Sequence, residues 1–195
     1  MMGLLESLWE ILEEDRLVES PVTLEERAET SRCAPLQLRG TRSHFALRLQ
    51  SDDHLRVLAP LTKERSVRKL PDYLVFCEPA RPAESAKDTA LLVLVCELKS
   101  GAAGTVAARP QVQLGKLLAE YLSRIAAHAL GQSDAPKLWC SGLVISPELP
   151  SNLIPKGSTR PGKVELPGEY DELSKMRIHY SRGGQDLFLE SVFGM

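Results

Sequence analysis

The sequence predicts one α/β domain spanning residues 1–195, in which a mixed central β-sheet is flanked by helices. Its core, to about residue 146, reads helix, hairpin, strand, strand, helix, strand, and a loop and C-terminal β-hairpin occupy 147–195. Three observations carry this. Leu91–Val95 is an unbroken aliphatic run, too short for a buried helix and right for a central strand covered on both faces. A long helical pattern follows from Arg109 to Leu130, and a second apolar strand pattern, Lys137–Ser146, comes after it. The 195 residues are enough for one proper core, and a 43% hydrophobic, 26% charged composition is ordinary for a globular chain.

The elements follow in order. Leu4, Leu5, Leu8, Ile11 and Leu12 recur at helical spacing, so Gly3–Arg16 is expected to be an amphipathic helix with Glu6, Glu10, Glu13 and Glu14 on its solvated face. Thr23–Arg27 reads as a short helix capped by Thr23. From Thr41 the pattern alternates, with Phe45, Leu47 and Leu49 on one side and His44, Arg48 and Gln50 on the other, the mark of a half-buried strand. Ser51–Asp53 is a turn, and His54–Leu58 returns as the second arm of a hairpin. Leu70–Cys77 is the next strand, with Pro71 at its mouth, a permitted place for proline.

The polar, proline-containing stretch Glu78–Thr89 connects this strand to Leu91–Leu98, and the two can pair antiparallel. Arg109-Pro110-Gln111 opens the long helix and Gly131 stops it. Leu114, Leu117, Leu118, Tyr121, Leu122, Ile125 and Ala129 read as its buried stripe. Pro147 to about Leu173 is rich in Pro and Gly and reads as a long loop, after which Met176–Ser181 and Asp186–Val192 form the hairpin around Gly183-Gly184.

Composition narrows the function classes. No apolar run approaches the ~20 residues of a membrane span, and no basic region followed by an apolar stretch marks a secretory signal. The four cysteines, Cys33, Cys77, Cys96 and Cys140, lack zinc-like spacing and are expected to be reduced and buried in a cytoplasmic protein. The net charge of −2 does not advertise nucleic-acid binding, yet a local basic strip would suffice for it. Lys63, Arg65, Arg68 and Lys69 offer one such strip, and Lys156, Arg160 and Lys163 a second.

The chemistry-bearing pattern is Pro71-Asp72, a gap of about two dozen residues, then Glu97-Leu98-Lys99 at the end of the apolar strand. Residues two apart on a strand share a face, so Glu97 and Lys99 project together. Antiparallel pairing brings Asp72, at the start of one strand, beside Glu97 at the end of the other.

With the order of elements over residues 1–146, this pattern resembles the PD-(D/E)xK nuclease superfamily, the restriction-endonuclease-like fold, whose core runs α-β-β-β-α-β. The resemblance implies a metal-dependent nuclease hydrolysing phosphodiester bonds, DNA ahead of RNA, working alone or as the nuclease component of a defence or repair system. It implies Asp72, Glu97 and the backbone carbonyl of Leu98 as ligands to Mg²⁺ or Mn²⁺, and Lys99 as the group that orients water or stabilises the transition state. Gln111 and Gln113, at the start of the long helix, are the further catalytic candidates. The RecB-like group carries Gln-x-x-x-Tyr on the corresponding helix, whereas Gln113 here is followed by Leu117, with Tyr121 a turn later. A bare core of this size takes specificity from a protein partner or from homodimerisation. The competing expectation is a catalytically inactive module that kept the same sheet for binding protein or nucleic acid.

Overall fold

The computed structural model describes residues 3–26, 32–49, 70–79, 89–99, 108–148 and 166–194. The fold is mixed α/β. Its centre is a seven-stranded sheet built from β1 (Leu17–Glu19), β4 (His44–Arg48), β5 (Tyr73–Cys77), β6 (Thr89–Leu98), β7 (Lys137–Ile145), β8 (Gly168–Asp171) and β9 (Met176–Ser181), in the order β1-β4-β5-β6-β7-β9-β8. The first four strands pair antiparallel, β6–β7 and β7–β9 are parallel, and β8–β9 is antiparallel. All five residues of β5, and Leu91–Leu98 of β6, are buried, as expected of central strands covered on both faces.

One face of this sheet is covered by α1 (Leu4–Ile11) and α2 (Arg109–Ala129), which share a core with Phe45, Leu74, Phe76, Val93, Val95 and Val144. The other face packs on a three-stranded sheet, β10 (Asp186–Phe188)–β3 (Leu36–Arg39)–β2 (Val22–Leu24), and on the short helix α3 (Leu189–Phe193). β3 alternates buried and exposed along its four residues, with Leu36 and Leu38 inward, so that sheet has one dry face.

The way α2 sits on the sheet differs from the sequence expectation. Its inward positions are Val112, Gly115, Ala119, Ser123, Ala126 and Ala127, whereas Leu117, Tyr121 and Ile125 are exposed. Small residues let the helix axis come close. A Cβ built on Gly115 would lie 2.4 Å from Val95 Cγ1 and 2.7 Å from Pro71 Cγ, and one on Gly142 of β7 would lie 2.6 Å from Val112 Cγ1. Leu118 and Leu122 are half-buried at the edge of the same core.

Other expectations change as well. The first helix ends at Ile11, and a 3₁₀ turn, Glu14–Arg16, follows it; Glu6, Glu10, Glu13 and Glu14 are exposed, as expected. Thr23 lies in β2 rather than capping a helix, because Val22 and Leu24 are drawn into the small sheet's dry face. The expected hairpin of Met176–Ser181 with Asp186–Val192 does not form; the C-terminal hairpin is instead β8 with β9, across the turn 172–175. β9 enters the main sheet between β7 and β8, and Asp186–Phe188 pairs in parallel with Gln37–Arg39. The predicted loop 147–173 therefore contains a strand, β8, and the core extends well past residue 146. The expected hairpin arm His54–Leu58 lies outside the described residues. All four cysteines are buried, and none is joined in a disulfide. No helix among the described residues is long and apolar enough to cross a membrane.

Candidate active site at the β5–β6 end

The antiparallel register of β5 and β6 sets the site. Tyr73 pairs with Cys96, so Asp72, one residue upstream, stands level with the Glu97–Leu98 end of β6. Asp72 is clamped by its own backbone, its N–H donating to Cys96 O at 3.1 Å and its carbonyl accepting from Leu49 N–H at 2.9 Å. Its Oδ2 accepts from the Leu98 backbone N–H at 2.7 Å. Of Leu98's backbone groups, it is thus the amide that meets Asp72. Lys99 stays in the sheet through its N–H, which donates to Ile145 O at 2.8 Å.

Glu97 and Lys99 project together and form an ion pair through Glu97 Oε1. Glu97 is only 2% exposed. Its second oxygen, Oε2, is buried with no hydrogen-bond partner among the described residues. The Lys99 ammonium also donates to Gln111 Oε1 at 2.7 Å, and Gln111 Nε2 donates to Leu70 O at 3.2 Å. Gln111 is buried in the first turn of α2, so it ties Lys99 to the backbone just ahead of Pro71-Asp72. The close seat of Gly115 against Pro71 and Val95 is what brings that helical turn within reach.

The electrostatics follow from the crowding of acids in a dry place. Burial, aided by the Asp72 charge, pushes the Glu97 carboxyl up to about 8, although Lys99 and Gln111 pull the other way. Burial also raises Asp72, against the Leu98 amide and the Lys99 charge, and the nearby Glu26 carboxylate adds to the rise. Cys33, whose Sγ lies 3.8 Å from Ile145 O, is pushed up to about 11 by burial and by the Glu26 and Asp72 charges. With Lys99 donating to Oε1, the proton that a neutral Glu97 carries falls on Oε2.

The structure therefore brings together Asp72, Glu97, Lys99 and Gln111. Gln113 points elsewhere: its Nε2 donates to Asp171 Oδ2 at 3.0 Å, in a cluster with Ser174 that anchors the turn after β8. The two glutamines are two residues apart on one helix, about 200° around its axis, so one of them faces the site and the other faces away. Lys63, Arg65, Arg68, Lys69, Lys156, Arg160 and Lys163 lie outside the described residues.

Two groups near the site were not singled out by the sequence. Glu26, read there as part of a short helix, sits close enough to act on Asp72 and Cys33. Arg48, one ladder step from Asp72, lies over the Tyr73 ring at 6.0 Å, and the Tyr73 hydroxyl in turn donates to Glu25 O at 2.9 Å. Among the described residues no group of three or more His, Cys, Asp or Glu side chains is gathered as a metal site. Comparison with protein-family profiles, with curated proteins and with solved structures found no match.

Proposed function

We propose that this chain is a metal-dependent phosphodiesterase of the nuclease type, with the restriction-endonuclease-like fold and DNA ahead of RNA as substrate. The observation that carries the reading is the convergence of Asp72, Glu97 and Lys99 at one end of the β5–β6 pair, with Glu97 Oε2 buried and unpartnered among the described residues. A buried carboxylate oxygen without a donor is costly, and a cation is one of the few partners that would satisfy it. Two carboxylates with one backbone carbonyl suit Mg²⁺ or Mn²⁺, since Mg²⁺ keeps several waters and is commonly held by one or two carboxylates plus substrate phosphate.

Asp72 and Glu97, with the Leu98 carbonyl, would hold the ion; bound there it would acidify a water and offset charge on the phosphate. The chain's own groups do the rest. Asp72 is held in place by the Leu98 amide. Gln111 accepts from the Lys99 ammonium alongside Glu97 and is itself anchored to the Leu70 carbonyl, which holds the lysine at the strand end. Lys99 hydrogen-bonds the attacking water, or the phosphate oxygen on which charge develops.

The test is cleavage of plasmid, linear and single-stranded DNA and of RNA by the purified protein, with Mg²⁺, with Mn²⁺ and with EDTA, beside Lys99→Ala. Cleavage that needs the ion and falls about a hundredfold or more in Lys99→Ala is expected. No cleavage of any substrate, together with no Mg²⁺ or Mn²⁺ binding by calorimetry, would overturn the reading and leave a non-catalytic interaction module.

A further inference from the structure

Three large apolar side chains of α2 face away from the sheet. Leu117, Tyr121 and Ile125 succeed one another at four-residue spacing and are 60%, 56% and 39% exposed. Consecutive residues at this spacing form a single ridge on a helix. One flank of that ridge carries Glu120 and Arg124. Arg124 makes no ion pair among the described residues, and Glu120 meets only Lys116, at 3.8 Å.

We propose that this ridge is a homodimer interface, in which α2 packs antiparallel against α2 of a second copy across a twofold axis at Tyr121. The sequence of the ridge suits that arrangement. A twofold at Tyr121 sets Leu117 level with Ile125 of the other copy, twice over, so apolar meets apolar along the whole ridge. It also keeps the charged flank of each helix on the same side. Glu120 of one copy then stands about 3 Å along the axis from the level of Arg124 in the other, within side-chain reach, and the pair occurs twice. A parallel pairing puts the two flanks on opposite sides and leaves both charges unmatched. A helix pair alone sits at the small end of the interface scale, below about 1,200 Å² in total, so a dissociation constant in the micromolar range is expected. The inference stands on the face of α2 opposite the sheet and does not depend on the catalytic reading.

The test is sedimentation velocity over roughly 1–200 μM, a range that brackets such a constant. The wild-type chain should pass from monomer to dimer. Glu120→Arg and Arg124→Glu should each shift that transition at least tenfold to higher concentration. An equimolar mixture of the two should regain the dimer, because each variant supplies the charge the other has reversed. Under mild oxidation Tyr121→Cys, on the axis, should cross-link to its own copy, whereas Leu117→Cys, whose two copies are about 12 Å apart along the helices, should not. A wild-type chain that stays monomeric throughout, a mixture that stays monomeric, or Leu117→Cys cross-linking as readily as Tyr121→Cys would each overturn the proposal.

Discussion

Gly115→Ala tests how the site is held, because it adds one methyl where α2 meets the sheet. The new Cβ would lie 2.4 Å from Val95 Cγ1 and 2.7 Å from Pro71 Cγ. Neither neighbour can swing aside, since Val95 is β-branched and fully buried and Pro71 is a ring. To restore contact distances near 3.5 Å the helix must retreat by about 1 Å. Two effects oppose each other. Alanine in a helix interior is better than glycine by about 1 kcal/mol, and overpacking a dense core costs about 1–3 kcal/mol. The clash should win, giving a net loss of up to about 2 kcal/mol, which for a domain of this length lowers the melting temperature by roughly 2–8 °C.

The assay is urea unfolding of four chains: wild type, Gly115→Ala, Val95→Ala and the double variant. Removing the Val95 methyls vacates the worst contact, so the alanine at 115 should be tolerated better in that background, with a coupling of about 1–2 kcal/mol. The same retreat would draw Gln111, one turn upstream, away from Lys99, so activity should fall beyond what the loss of folded protein explains. Gly115→Ala stabilising the wild type by the full helix-propensity gain of about 1 kcal/mol, or the two changes simply adding, would refute the close seat of α2 on Pro71 and Val95.

Four more predictions follow from single contacts. Gln111→Ala should lower kcat at least tenfold while Gln113→Ala leaves kcat near wild type and instead weakens the Asp171 cluster, so kinetics and melting curves of the two variants should separate. Glu97 titrates near 8 in the fold against 4.5 unfolded, so its burial is without penalty below pH 4.5, the penalty grows through the window up to about 8, and it is constant above; metal-free stability should therefore fall with rising pH by up to about 1.4 kcal/mol per unit across that window, and Glu97→Gln should flatten the curve. Mg²⁺ binding should release close to one proton at pH 7, seen as a buffer-dependent calorimetric heat, and should weaken as pH falls below 8; binding with no proton release would contradict a neutral Glu97 in the metal-free site. Tyr73→Phe should cost about 1 kcal/mol in urea unfolding, because the buried hydroxyl bonds both the N–H and the carbonyl of Glu25.

The middle of the central sheet, β4 to β7, and the juxtaposition of Asp72, Glu97 and Lys99 were legible because both rest on local, short-period patterns. Two apolar strands and a period of two are enough to put Glu97 and Lys99 on one face and Asp72 beside them. The small sheet was not legible. Its strands are three or four residues long, and β3 pairs with a strand about 150 residues away in sequence, so neither length nor periodicity announces it. The inward face of α2 was misjudged for a related reason. Weighting a helix by its largest apolar residues points to Leu117 and Tyr121, yet a helix that lies tightly on a sheet does so through glycine and alanine. That one misreading also hid which glutamine reaches the site, since the choice between Gln111 and Gln113 depends only on which side of α2 meets the sheet.

The site's charges give its residues a role that packing alone does not. A strand end that served only the core would be more stable with an aliphatic residue at 97, because replacing a buried ionic group by a well-packed apolar one is often neutral or favourable. Here two acids, Asp72 and Glu97, face one ammonium, Glu26 adds a third carboxylate to the field, and one Glu97 oxygen has no donor among the described residues. With every group ionised the cluster carries an excess of negative charge in a dry place, and the raised carboxyls are its answer to that excess. A divalent cation would reverse each element of the problem at once: it would satisfy the orphan oxygen, favour the ionised acids, and relieve Lys99 of neutralising Glu97. Among the described residues Gln111 would then be the side chain left to hold Lys99. Under the proposed function Gln111 would matter as much as the acids, because it would keep the lysine in place once Glu97 turned to the metal.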